Sequence, residues 1–372
     1  MTDLTGGPAA MHRAMLQAVE RVLSSGRYVL DREVERFEQL WAEQCGVRFG
    51  IGVGNGMDAI GIALCASGIG PGDEVIVPAM TAFATVLAVI RTGATPVLAD
   101  IDPATALLSL ESAQRVLNMR TRAVVVVHLY GRMVEMEAWV VWCREHGLAL
   151  IEDCAQAHLA SRHSKMAGSF GLVGAFSFYP TKNLGAIGDA GMLITDDEMI
   201  AKKARQWRDY GRSAADGSGL HLLAGMNSRL DEIQAALLAV RLPWLETFNA
   251  ARRTTAGKYR ERMCNPWVTL QPDAEEPTGH VYHQFVVNVP QRHALRAHLR
   301  KKGVHTGLHY ALPIHWQPAW SNAPSDPLGL IHAERHACRC LSLPCHPFLS
   351  IESVDRVVAA LNAFVPTGDG AP

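Results

Sequence analysis

Between Arg48 and Thr195, short apolar runs alternate with stretches of helical periodicity. That rhythm commits a chain to strands joined by crossover helices, and so to a parallel sheet covered on both faces, an α/β architecture. It predicts strands at Glu74–Val77, Thr95–Ala99, Ala123–His128, Ala149–Ile151, Ala175–Phe178 and Met192–Thr195. The carboxyl ends of such strands are where ligands gather. A helix is expected at Arg229–Glu246, where Leu230, Ile233, Leu237, Leu238 and Val240 recur at helical spacing. Beyond it the pattern changes: His280–Val289 reads as a strand, Arg292–Lys302 as a helix and Ser353–Phe364 as a terminal helix. A chain of 372 residues exceeds one comfortable core. The expected division is a large α/β domain over residues 1–248 and a smaller α+β domain over 249–372.

Charge narrows the partners. With 35 basic against 36 acidic residues, no global field gathers nucleic acid or an anionic membrane. The apolar stretch Val75–Ile90 is interrupted by Pro78, Thr81 and Thr85 and closed by Arg91, short of the ~18–20 residues a span needs. Met1–Ala10 lacks the basic end and apolar core of a secretory signal, so a cytoplasmic protein is expected. The eight cysteines show no paired metal spacing, and the sixteen histidines fall in no H-E-x-x-H pattern. Reduced thiols and no metal are the expectation.

Three segments carry residues suited to chemistry. Gly52-Val53-Gly54-Asn55-Gly56-Met57-Asp58 is a glycine-rich turn before the helical pattern Ala59–Ser67. It suits a phosphate at a helix N-terminus, although on its own it serves equally for packing. Asp153 follows the apolar run Leu148–Ile151. There it either faces a ligand, such as a pyridine nitrogen it would keep protonated, or caps a following helix. Lys182 follows the aromatic segment Phe176-Ser177-Phe178-Tyr179 and precedes glycines. A lysine so placed is partly desolvated and nucleophilic toward a carbonyl, unless it is an ordinary loop lysine. Taken together, the three supply a phosphate cradle, a pyridinium partner and a Schiff-base amine.

The stretches GVGNGMDAI, PAMTAFATVLAVIRTGATPVLADID, VVVHLYG, IEDCAQAH, FSFYPTKNLGAIGDAGMLIT, NSRLDEIQAALL, HTGLHYALPIH and LSLPCHP stand in this order from about Arg27 to Leu361. The chain thereby resembles the DegT/DnrJ/EryC1/StrS family of pyridoxal-phosphate-dependent nucleotide-sugar aminotransferases. The resemblance implies an aspartate-aminotransferase-like fold with a mixed, mostly parallel sheet. It implies that Lys182 carries pyridoxal 5'-phosphate, Asp153 faces the pyridine nitrogen and Gln156 lies near the ring hydroxyl. Ser177 and the amides of Gly56, Met57 and Asp58 would hold the phosphate. Asn227 would reach the phosphate of a neighbouring subunit, making a homodimer with shared sites, and Arg229 would orient that segment.

Some positions depart from the family pattern. Met57 stands where Thr or Ser is common, and Ala82 where an aromatic often covers the cofactor, leaving Phe83 as the candidate cover. Leu159 and Leu172-Val173 replace small turn residues. On the substrate side, His128, Tyr310 and His315 are the candidates. The implied substrates are an amino-acid donor, glutamate or glutamine, and a nucleotide-linked keto sugar. The N-G-x-D-A turn favours C3 of a dTDP-3-oxo-6-deoxyhexose over C4 of a 4-oxo sugar. A non-catalytic pyridoxal-phosphate-binding regulator is the other class. A sugar 3-dehydrase is disfavoured, since in dehydrases resembling this family a histidine replaces the lysine.

Overall fold

A computed structural model describes residues 3–212 and 219–366. In chain order the strands are β1 (Phe49–Val53), β2 (Glu74–Pro78), β3 (Thr95–Ala99), β4 (Thr121–Val127), β5 (Ala149–Asp153), a small hairpin of β6 (Ser161–Arg162) and β7 (Lys165–Met166), β8 (Val173–Ser177), β9 (Gly191–Thr195), β10 (Thr269–Leu270), β11 (Phe285–Asn288) and β12 (Cys340–Leu343). The large sheet has the order β1-β9-β8-β5-β4-β2-β3. The five strands from β3 to β8 in that order run parallel, while β9 is antiparallel to β8 and β1 antiparallel to β9. The sheet is therefore mixed and mostly parallel; β2 and β4 are apolar in their buried middles, whereas β5 ends on the buried acids Glu152 and Asp153.

β1 lies outside the strands expected from apolar runs, because its sequence FGIGV carries two glycines that weaken the signal. Both are close-approach sites. A Cβ on Gly50 would sit 2.5 Å from the Glu38 carbonyl oxygen, and one on Gly52 would sit 2.9 Å from the Leu230 side chain.

Helices α1 (Ala9–Ser25) and α2 (Arg32–Cys45) pack against the helix Glu232–Arg241. The buried Glu232 carboxylate accepts the amides of Asp31, Glu33 and Val34, satisfying donors that the N-terminus of α2 leaves free. α3 (Gly56–Ala66) and α4 (Phe83–Arg91) lead away from β1 and β2.

The helix expected at Arg229–Glu246 is shorter. It ends at Arg241, passes through the 3₁₀ turn Leu242–Trp244 and restarts as Leu245–Arg262. Pro243 lacks the amide that a continuous α-helix needs. The long second helix places Leu245 in the core of the large sheet, and Ala256 and Tyr259 in a second core around β10, β11 and β12. The expected division between 248 and 249 falls inside this helix. The strand expected at His280–Val289 is confined to β11, because residues 280–284 turn toward Tyr130 and Gly131. There Val281 N–H donates to Gly131 C=O at 2.9 Å, and Tyr282 has φ 44°. Among the described residues no helix is long and apolar enough to cross a membrane.

Candidate active site

The carboxyl ends of β5 and β8, the start of α3 and the loop after β8 enclose one cavity. Gly56, Met57, Thr85, Asp153, Gln156, Ser177 and Lys182 line it together. A larger groove of about 580 Å³, bounded by residues such as Leu107, Trp139 and Glu275, holds none of the residues expected to do chemistry. Chemistry rather than size therefore locates the site.

α3 begins at Gly56, and its N-cap Asn55 accepts the Asp58 amide on Oδ1 at 2.8 Å. Ala59 N–H already donates to Asn55 C=O. The amides of Gly56 and Met57 are left for an anion. Asp58 was expected in the phosphate cradle, but it does not line the cavity and its amide is occupied. The N-x-x-D spacing carries the signal for this, since Asn is a strong cap residue. Gly56 has no room for a side chain, because a Cβ would lie 2.6 Å from Ser177 Cβ. This contact sets Ser177 beside the helix start.

Asp153 ends β5 and is buried. Its Oδ2 accepts from Thr85 Oγ1 at 2.8 Å, its Oδ1 accepts from Ala155 N–H at 3.1 Å, and Thr81 Oγ1 lies 3.0 Å from Thr85 Oγ1. No helix starts after it, so it caps none. Burial pushes its carboxyl pKa up, against the Thr85 and Ala155 hydrogen bonds and the Lys182 charge. A carboxylate desolvated to this degree gains from a cationic N–H placed opposite it.

The side chain of Lys182 opens onto the cavity, but protein surrounds most of its amine. That burial, opposed by Asp153, brings its pKa down to about 8. Next to it, Asn183 is buried and holds the loop in place. Its Nδ2 donates to Asn249 Oδ1 at 2.8 Å and to Val281 C=O at 3.0 Å.

Gln156 accepts the Tyr130 amide on Oε1 at 2.6 Å, and its Nε2 donates to Tyr310 Oη at 3.2 Å. Tyr310 is thus tied to a cavity residue, and burial pushes its phenol up to about 12. His309, beside it, is held by Ser342 at Nδ1, and burial brings its imidazole down to about 4.

His128 does not fit the expected substrate role. It is wholly buried, its Nδ1 accepts the Val134 amide at 3.0 Å, and its Nε2 lies 3.0 Å from Glu152 Oε2. Both ring nitrogens are engaged by protein groups. Glu152 also accepts the amides of Gly168 at 2.8 Å and of Phe170 and Gly171 at 2.7 Å. His128, Glu152 and Cys154 converge closely enough to suggest metal ligands, yet these donors already occupy the Glu152 oxygens.

Like Asp58 and His128, the expected residues Phe83, His315 and Asn227 stand away from the cavity lining, and Tyr310 reaches it only through Gln156. Phe83 begins α4 and packs on the core of the large sheet. His315 pairs with Glu334 at 3.0 Å. Asn227 is exposed, and Arg229 beside it pairs with Asp209 at 3.1 Å. The supporting roles of Thr85, Glu152, Asn183 and Ser228 escaped the sequence analysis, because each acts on a residue well separated along the chain.

The profile of the DegT/DnrJ/EryC1/StrS aminotransferase family matches residues 10–362. A protein of Aneurinibacillus thermoaerophilus named dTDP-3-amino-3,6-dideoxy-alpha-D-galactopyranose transaminase is 42% identical over 351 residues, which cover 94% of each chain. A pleiotropic regulatory protein of Geobacillus stearothermophilus is 39% identical over 366 residues, 98% of each chain. The crystal structure of S. venezuelae DesV in complex with a ketimine intermediate superposes with a TM-score of 0.92 at 40% identity, covering 97% of this chain and 96% of that one. The chain belongs to the DegT/DnrJ/EryC1/StrS aminotransferase family, whose cofactor is pyridoxal phosphate, and its Gly56 cradle, buried Asp153 carboxylate and desolvated Lys182 amine fit that group.

Proposed function

We propose that this chain transfers an amino group from glutamate or glutamine to C3 of a dTDP-linked 3-oxo-6-deoxyhexose. The observation that carries the transaminase chemistry is the convergence of a Lys182 amine of pKa about 8, the buried Asp153 and the free Gly56 and Met57 amides on one cavity. Gly56, Met57 and Ser177 hold the cofactor phosphate, and Asp153 keeps a proton on the ring nitrogen. Pyridoxal phosphate, when bound, supplies an electron sink for the pair left by a departing α-proton. With the cofactor bound, Lys182 would act as the base that accepts the proton from Cα of the donor amino acid and as the acid that gives it back. After the keto acid leaves, Lys182 runs the same transfer in reverse at C3 of the sugar, giving ping-pong kinetics. Tyr310, held by Gln156 and still protonated, offers a hydroxyl at the sugar side.

C3 is favoured by the N-G-M-D-A turn and by the position of the amine in the name of the A. thermoaerophilus relative. A panel of dTDP-linked 3-oxo and 4-oxo sugars tests this, and amination of the 4-oxo sugars alone would overturn it. The G. stearothermophilus relative, named a regulatory protein, favours a second reading in which the cofactor is held but not turned over. Glutamate added to the loaded protein distinguishes the two, because a regulator would keep its lysine-bound absorbance band.

The protein is proposed to act in the cytoplasm as a homodimer, with the exposed Asn227 reaching the neighbour's phosphate and the smaller domain beginning within the helix Leu245–Arg262.

Two further outcomes follow from the site. Only the neutral amine attacks a carbonyl, so pyridoxal phosphate uptake by the apoprotein should accelerate with pH and level off above about 8. A lysine of ordinary pKa would still be accelerating toward about 10.4. Asp153→Asn removes the anion that holds the amine up, so stopped-flow uptake should then level off at lower pH. Gly56→Ala forces a Cβ into Ser177, and overpacking of this kind should weaken apoprotein affinity for pyridoxal phosphate about 10- to 100-fold. Unchanged affinity in a fluorescence titration would remove Gly56 from the cradle.

A further inference from the structure

We infer that Ser228 is the positioning residue that presents Asn227 to the partner's phosphate, and that Asp58 of the same subunit fixes it there. The inference rests on the reading that Asn227 reaches across a dimer. The two adjacent side chains are treated oppositely by the fold, since Ser228 is buried whereas Asn227 is exposed. Neighbouring side chains in extended backbone face opposite sides, and the backbone of Asn227 bridges that of Asp209 in an antiparallel sense.

The Ser228 hydroxyl spends its one proton within the subunit. It donates to Asp58 Oδ2 at 2.7 Å and accepts the Gly54 amide at 3.0 Å. Its own amide donates to Arg208 C=O at 2.9 Å. A hydroxyl so engaged has no proton left for a phosphate, so Ser228 positions rather than binds. Asp58 in turn is locked to the start of α3. Asn55 takes the Asp58 amide on Oδ1 as N-cap and donates its own Nδ2 to Asp58 Oδ2 at 3.1 Å. Arg91 stands 4.0 Å from the other carboxylate oxygen. One carboxylate therefore joins the start of the subunit's own phosphate helix to the segment that serves the neighbour. Asp58, which the cavity does not use, gains a role by this connection.

Heterodimers with a single Lys182 test the idea, because lysine-bound cofactor absorbance then reports only one site. Lys182→Ala is placed in one subunit, and Ser228→Ala either in that same subunit or in the subunit that keeps Lys182. Both dimers carry the same substitutions, so a general loss of folding affects them alike. Release of pyridoxal phosphate from the intact lysine site, followed by loss of the absorbance band, should be about tenfold faster when Ser228→Ala lies across from that lysine. A clearly smaller acceleration is expected when both belong to one chain, where Ser228→Ala touches only the start of α3. Equal effects, or the reverse order, would overturn the inference. Asn227→Ala in the same two arrangements separates the failures. If it does not act across, the shared-site reading falls; if it does while Ser228→Ala does not, only the positioning role falls.

Discussion

Lys182→Ala is expected to lower transamination at least about 10³-fold, because one side chain supplies both the nucleophile and the proton shuttle. Arginine should not rescue it. Lys182→Arg keeps a cation opposite Asp153, but a guanidinium remains protonated and cannot attack a carbonyl or accept the α-proton. The lysine-bound absorbance should vanish in both variants, while Gly56, Met57, Ser177 and Asp153 still hold some cofactor non-covalently. Stability should not suffer, since Lys182→Ala removes an amine whose charged form burial disfavours. Turnover of Lys182→Ala within tenfold of the parent would remove Lys182 from the chemistry.

Glu152→Gln should be the most destabilising single-atom exchange near the site. The carboxylate accepts Phe170 and Gly171 on Oε1, and Gly168 and His128 on Oε2. An amide offers one oxygen, so its NH₂ must oppose one of these pairs. His128 cannot relieve the conflict. Its Nδ1 already accepts the Val134 amide, and a neutral imidazole has only one accepting nitrogen. Buried donors left unpaired around a lost charge should cost about 3–5 kcal/mol. A fall in Tm of roughly 5–10 °C is then expected, with lower activity because Asp153 is the next residue on β5. Thermal melts of the apoprotein provide the measurement. An unchanged Tm would mean that Glu152 is not the anchor of residues 168–171.

The chemistry of the site was more legible in the sequence than the supports that hold it. Lys182, Asp153 and the Gly56 turn stand out because strand ends and glycine turns are local patterns, and the fold brings them to one cavity. The residues that orient them are separated widely along the chain: Thr85 lies 68 positions from Asp153, and Ser228 lies 170 from Asp58. No local periodicity records such pairings. His128 shows the converse, since a histidine after a strand suggests a ligand contact, yet its surroundings occupy both nitrogens. β1 was missed because glycines chosen for close approach dilute a strand's apolar signal, whereas Pro243 was visible and its break in the helix follows from the missing amide.

The clasp on Asn183 has a consequence for biosynthesis. Asn183, the residue after Lys182, is held by Asn249 and by the carbonyl of Val281, so a ribosome that has released only the first 248 residues has made the proposed cofactor contacts but not the frame that holds the lysine's loop. A gene cut at that point should yield fragments that must meet before either can hold the vitamin productively.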